Sequence, residues 1–151
     1  MKIYIASFFD TRERLHGPAA TLWKMGHEVV STWLYEVQKP ALMSKEEFWR
    51  KLALKDLAEI KAADLLICDT FDVTPRGGRE VEFGFALGGF QGKMVYVVGP
   101  VRNVFHTLAD KTFESWDECL RHIEGLPDAI HQERGADSSP QGSSVPATGS
   151  A

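Results

Sequence analysis

DLLICDT, residues 64 to 70, decides the fold. Leu65, Leu66, Ile67 and Cys68 follow one another without the polar alternation of a half-exposed strand, so the segment reads as a strand buried on both faces. Such a strand belongs in the middle of a parallel sheet covered by helices. KIYIAS (2 to 7) and KMVYVVG (93 to 99) have the same character, and HEVVSTW (27 to 33) reads as a further, β-branched strand. KTF (111 to 113) is a brief extended piece.

Helix signals fall between these strands. Asp10 with Glu13, Ser44 with Glu47, and Ser115 with Glu118 have capping-box spacing, and they predict helices over 12–25, from 44 to near 63, and over 115–125. Another helix is expected from near Gly78. Strand and helix therefore alternate, which predicts a single-domain α/β sandwich of the flavodoxin-like or Rossmann-like kind, with about five mainly parallel strands and helices on both faces. The domain is expected over 1–130. From 131 to 151 the chain is Ser/Gly/Pro/Ala-rich and nearly without apolar bulk, which predicts a disordered tail.

A chain of 151 residues, 44% hydrophobic and 25% charged, suits one soluble domain with a real core. The net charge of −4 and the absence of a long Lys/Arg cluster argue against a nucleic acid polymer as partner. No stretch has the apolar length of a membrane span, and no leader precedes MKIYIAS, so a cytoplasmic protein with reduced Cys68 and Cys119 is expected. The five histidines show no ligand spacing with those cysteines, so neither metal nor cofactor is expected. His106, beside Asn103 in a loop, is expected at the surface or against substrate. Trp23, Trp33, Trp49 and Trp116 are expected in the core or an interface, with Trp33 or Gln38 able to edge a binding pocket.

Two acids stand out. In the helix from 44 to 63, Asp56 lies in a row with Leu52 and Ile60, beside Trp49, Ala53 and Leu57, and so points the apolar way. It either has chemistry to do or sits at the edge of that face, paired with a lysine. Glu82, in GGREVEFGFALGG (77 to 89), falls at a helix start among Val81, Phe83 and Phe85, where the backbone dipole favours the ionised form. First-turn acids are also common without any role. In parallel sheets ligands bind beyond the carboxyl ends of the strands, where both acids can converge, with Asp69 at a strand end as a third. One carboxylate can attack an acetal carbon while a second, in a drier setting, handles the proton.

These residues resemble the nucleoside 2-deoxyribosyltransferases and their relatives, the deoxynucleoside 5'-monophosphate N-glycosidases. The resemblance spans about residues 2 to 120 and rests on Asp56 in KDLAEIKAADLLICDT and Glu82 in GGREVEFGFALGG. It implies Glu82 as the nucleophile taking the deoxyribosyl group at C1', and Asp56 as its acidic partner. It also implies Tyr4 beside the nucleophile and Phe8 and Phe9 lining the base pocket. Ser7 would stand for a serine-rich phosphate grip. Asn103 would reach the sugar of a neighbouring subunit, which implies a homo-oligomer, a dimer or higher, with shared active sites. Where the transferases place an aspartate six residues before the nucleophile to serve the base, this chain has Arg76.

Arg76 and Arg79 flank Gly77 and Gly78, and such a turn can present N–H groups and positive charge to a phosphate. A nucleoside remains favoured over a nucleotide. The readings left by the sequence are transfer of deoxyribose from a nucleoside to a free nucleobase, hydrolysis of a nucleotide's N-glycosidic bond, and a non-catalytic nucleotide-binding module.

Overall fold

The structure, a computed structural model, describes residues 1–36, 42–73, 77–89 and 92–127. Five strands form one sheet: β1 (Lys2–Ala6), β2 (Glu28–Val29), β3 (Leu65–Asp69), β4 (Met94–Val98) and β5 (Lys111–Phe113). Their order is β2-β1-β3-β4-β5, and every neighbouring pair is parallel. The apolar run that predicted a central strand is β3, all five of whose residues are buried between β1 and β4.

Four α-helices, α1 (Arg12–Lys24), α2 (Lys45–Ala62), α3 (Gly78–Gly89) and α4 (Trp116–Glu124), alternate with the strands. α1 touches α4, and α2 touches α3, so the helices form two layers around the sheet. The core is the two-sided packing of β1, β3 and β4 against Leu15, Leu22, Ile60, Phe83, Cys119 and Ile123 of those layers. Two of the three predicted caps form: Ser44 Oγ accepts the Glu47 N–H at 3.1 Å, and Ser115 Oγ accepts the Glu118 N–H at 3.3 Å. The third does not. Asp10 lies in a short 3-10 turn (Phe9–Thr11), and Thr11, without a side-chain cap, precedes α1.

The second strand is shorter than the 27–33 expectation, because side chains replace the backbone ladder. Val30 N–H still reaches Ile3 C=O, but beyond it Ser31 Oγ accepts the Ile5 N–H at 3.1 Å and Trp33 Nε1–H donates to Ile5 C=O at 2.8 Å. With the backbone groups of Ile5 satisfied, the chain turns into a 3-10 segment at Thr32–Tyr35. Beyond β4, Gly99 has φ 107°, and a Cβ there would lie 2.8 Å from Thr70 Oγ1, so only glycine fits this turn between the ends of β3 and β4.

The chain leaves β1 outward to β2, then crosses back to β3, so the sheet reverses direction between β1 and β3. A crevice opens at the carboxyl ends of strands at such a reversal. Among the described residues no helix is long and apolar enough to cross a membrane.

Candidate active site

Glu82 lies one turn into α3, between exposed Val81 and buried Phe83. Tyr4, wholly buried in β1, points its hydroxyl at this position and donates to Glu82 Oε1 at 2.8 Å. Asp56 comes from α2, the helix packed against α3. Its Oδ1 is the buried side-chain oxygen left without a hydrogen-bond partner among the described residues.

Asp56 and Glu82 both line two adjoining lobes of one crevice. One lobe, of about 370 Å³, is walled by Ser7, Phe9, Trp33, Glu36, Phe48 and Trp49. The other, of about 340 Å³, is walled by Ala53, Leu57, Gly78 and Val81, again with Trp49. Leu52, Asp56 and Glu82 are common to both. The volumes are those of small-molecule sites, and the acids stand at the junction of the lobes.

Burial pushes the Glu82 carboxyl up to about 8; the Tyr4 hydroxyl opposes this, while the nearby negative charges of Asp56 and Glu59 add to it. This corrects the expectation that the helix dipole keeps Glu82 ionised, since loss of water outweighs the dipole one turn in from the helix end. Asp56 is also pushed up, to about 6, chiefly by burial; Lys55 draws it down and Glu59 raises it. Between about pH 6 and 8 the two acids therefore hold one proton between them. The Tyr4 hydroxyl, buried beside these acids, is held far above the usual phenol range and stays a donor.

No protein-family model matches the chain, and no curated protein does. Solved structures do. A 2-deoxyribosyltransferase from the psychrotolerant bacterium Bacillus psychrosaccharolyticus superposes with TM-score 0.68 at 25% identity, over 86% of this chain and 95% of its own. In structure the chain is similar to this 2-deoxyribosyltransferase over most of both lengths. Two further structures share the fold. A CMP N-glycosidase from Clostridium botulinum has TM-score 0.55 and 19% identity, over 82% of this chain and 98% of its own. A conserved protein from Enterococcus faecalis V583 has TM-score 0.60 and 15% identity, over 82% and 97%.

In this 2-deoxyribosyltransferase-like chain Glu82, Asp56, Tyr4, Ser7, Phe9 and Gly78 are brought together, by lining the crevice or touching a residue that does. Ser7 Oγ lies 3.1 Å from Thr11 Oγ1 and 3.4 Å from Asp69 Oδ1. Phe8 is not among the lining residues; its carbonyl instead accepts from Thr11 at the start of α1.

Asp69, Arg79 and Asn103 are turned to other work. Asp69 is fully buried, and Arg14 grips it with two bonds of 2.9 and 2.8 Å, Trp116 Nε1–H with one of 2.7 Å, and the Phe71 N–H with one of 3.3 Å. Arg79 donates to the carbonyls of Asp69 and Asp72 and to Glu80 Oε1, tying the start of α3 to the end of β3. Asn103 Oδ1 accepts the Phe105 and His106 N–H groups, and its Nδ2 donates to Glu80 Oε2 at 2.9 Å. His106, expected at the surface or on substrate, is instead fully buried, 2.8 Å from Glu80 Oε2. That network, Arg79 first, then His106 and Asn103, holds the Glu80 carboxyl below its usual range against the effect of burial. Arg76 and Gln38 lie outside the described residues.

Of the tryptophans, Trp33 and Trp116 are buried, but Trp23 and Trp49 are exposed, Trp49 at the crevice mouth with Lys45 Nζ over its ring at 4.3 Å. Phe48 and Glu36 are lining residues not expected from the sequence. Phe48 stands eight residues before Asp56 on the same helical face, so extending the four-residue row would have found it. Glu36 follows a 3-10 turn and carries no local signal. Among the described residues no group of three or more His, Cys, Asp or Glu side chains converges as a metal site.

Proposed function

We propose that the chain cleaves the N-glycosidic bond of 2'-deoxynucleosides through a glycosyl ester on Glu82 and transfers the sugar to a second base. One observation carries this: two acids from different helices, one bonded by Tyr4 and the other with a buried oxygen that has no partner among the described residues, face a single crevice while sharing one proton. The reaction uses the less populated form of that one-proton state, with the proton moved from Glu82, whose carboxyl lies higher, to Asp56. Glu82 as carboxylate attacks C1', the C1'–N bonding pair leaves with the base, and the Asp56 carboxylic acid supplies the proton the base takes up. In the second step an incoming base attacks C1', the ester bond returns its pair to Glu82, and the proton released by the base goes to Asp56. Water in place of that base makes the enzyme a hydrolase.

A nucleoside is favoured over a nucleotide, because among the described residues no lysine or arginine lines either lobe, whereas Asp56 and Glu82 line both. Negative charge on this pair disfavours a phosphate dianion in the same crevice. The N-glycosidase reading is retained because a CMP N-glycosidase shares the fold. In our reading residues 1–130 form the catalytic unit, 131–151 a tail, and the enzyme is a homo-oligomer. Asn103 can then serve another copy's sugar only after releasing Glu80.

The test is incubation with a 2-fluoro-2-deoxy nucleoside analogue, followed by mass spectrometry, and with deoxyinosine with and without adenine. An adduct on Glu82 and adenine-dependent formation of deoxyadenosine support transfer. Free deoxyribose released at a rate indifferent to adenine selects the hydrolase, and absence of both adduct and turnover selects the binding module.

A further inference from the structure

We propose that Glu36 reads the base: its carboxylate accepts N–H donors from the edge of a nucleobase stacked in the aromatic lobe. This rests on the proposed function and adds a determinant of base preference to it. The two acids at the junction of the lobes fix where C1' must lie, so base and sugar occupy opposite lobes. Phe9, Trp33, Phe48 and Trp49 wall one of them, while among the described residues the other has Trp49 as its single aromatic residue. A flat heterocycle is stabilised by stacking and by the edges of rings, so the base belongs in the first lobe.

Glu36 is the acidic residue in that wall to which the proposed chemistry gives no task. Its side chain is 23% exposed, and a carboxylate so far out of water needs a partner. Lys55 supplies one by an ion pair to Oε1, which neutralises the charge while leaving the group an acceptor. The position is rigid. The Glu36 N–H is bonded to Trp33 C=O at 3.3 Å, and Trp33 is itself pinned to Ile5 C=O at 2.8 Å. A fixed acceptor beside a stacking surface discriminates against bases that offer no N–H to it, because an unpaired polar group is then left in the closed site.

The experiment compares kcat/KM for 2'-deoxyadenosine, whose amino group is a donor, with purine 2'-deoxyriboside, which lacks it. The comparison is made in the full chain and in Glu36→Leu, Glu36→Gln and Lys55→Met. Glu36→Leu is expected to lower the ratio about tenfold, the loss of one charge-assisted hydrogen bond. Glu36→Gln, which keeps one carbonyl acceptor, is expected to fall between, and Lys55→Met to stay near the wild-type ratio. A merely structural role for Glu36 lowers both substrates together and leaves the ratio unchanged, which overturns the proposal. Should Glu36→Leu fail to fold, a wild-type ratio in Glu36→Gln overturns it as well. If the wild-type protein cleaves neither nucleoside, the proposed function itself falls, an outcome distinct from cleavage of both at an unaltered ratio.

Discussion

Two buried acidic regions at the carboxyl side of the sheet have opposite characters. Around Asp69 the donors are plentiful: a two-pronged arginine, an indole N–H, a backbone N–H and a serine hydroxyl converge on its two oxygens. Around Glu82 and Asp56 the donors among the described residues are sparse, one tyrosine hydroxyl for the first and none for the buried Oδ1 of the second. A satisfied buried carboxylate holds a fold together, while an under-satisfied one stores unfavourable desolvation that a substrate or a proton can relieve. By that criterion Asp69 belongs to the architecture, and the other pair is where the proposed chemistry is placed.

The largest effect expected is on turnover. Glu82→Gln removes the nucleophile and should lower kcat for deoxynucleoside cleavage by about a thousandfold or more, with loss of the covalent adduct in the mass spectrum. Retention of wild-type turnover would put Glu82 in the same class as Asp69. Asp56→Asn should lower kcat about a hundredfold, as expected for loss of a proton donor.

Next in size is stability. Asp69→Ala should destabilise the protein by about 3 kcal/mol in denaturant titration, because Arg14 and the buried Trp116 N–H lose their acceptor. The other two acids should behave in the reverse sense. Their carboxyls are raised in the fold, from 3.8 to about 6 for Asp56 and from 4.5 to about 8 for Glu82, so the native state binds more protons than the unfolded chain across that window. Stability therefore falls as pH rises from about 4 to 8. Asp56→Asn and Glu82→Gln should melt above wild type at pH 8.5, and the advantage should vanish near pH 4. An Asp69 variant showing the same gain would erase the distinction.

The pH profile of kcat/KM should be bell-shaped, with limbs near 6 and 8, since activity needs one proton on the pair. The smallest effect is expected of Tyr4→Phe. Its hydroxyl lowers the Glu82 carboxyl, so its loss should move the acid–base midpoint at 8 upward and reduce kcat severalfold, with little change in KM.

The contrast also marks what the sequence could reveal. Apolar runs announce β1, β3 and β4 because burial on both faces leaves nothing polar to interrupt them. Capping at Ser44 and Ser115 is local and was readable, whereas the start of α1 was set by a 3-10 turn that moved the boundary to Thr11. Asp56 and Glu82 were legible as acids placed among apolar neighbours on a helix. The fate of Asp69 was not, since its partners Arg14 and Trp116 stand 55 and 47 residues away along the chain. Asn103 and His106 were opaque for the same reason, because Glu80, which they clasp, lies on another element. Strand β2 was overestimated because propensity cannot foresee a serine hydroxyl and an indole standing in for backbone partners.

That substitution at Ile5 has a consequence for how the molecule meets its neighbours. With both main-chain groups of Ile5 filled by side chains where the two-residue edge strand β2 ends, and only three residues of strand in β5 on the opposite rim, little unpaired main chain among the described residues is left for a foreign strand to extend. Lateral growth into fibrils by strand addition is thereby disfavoured.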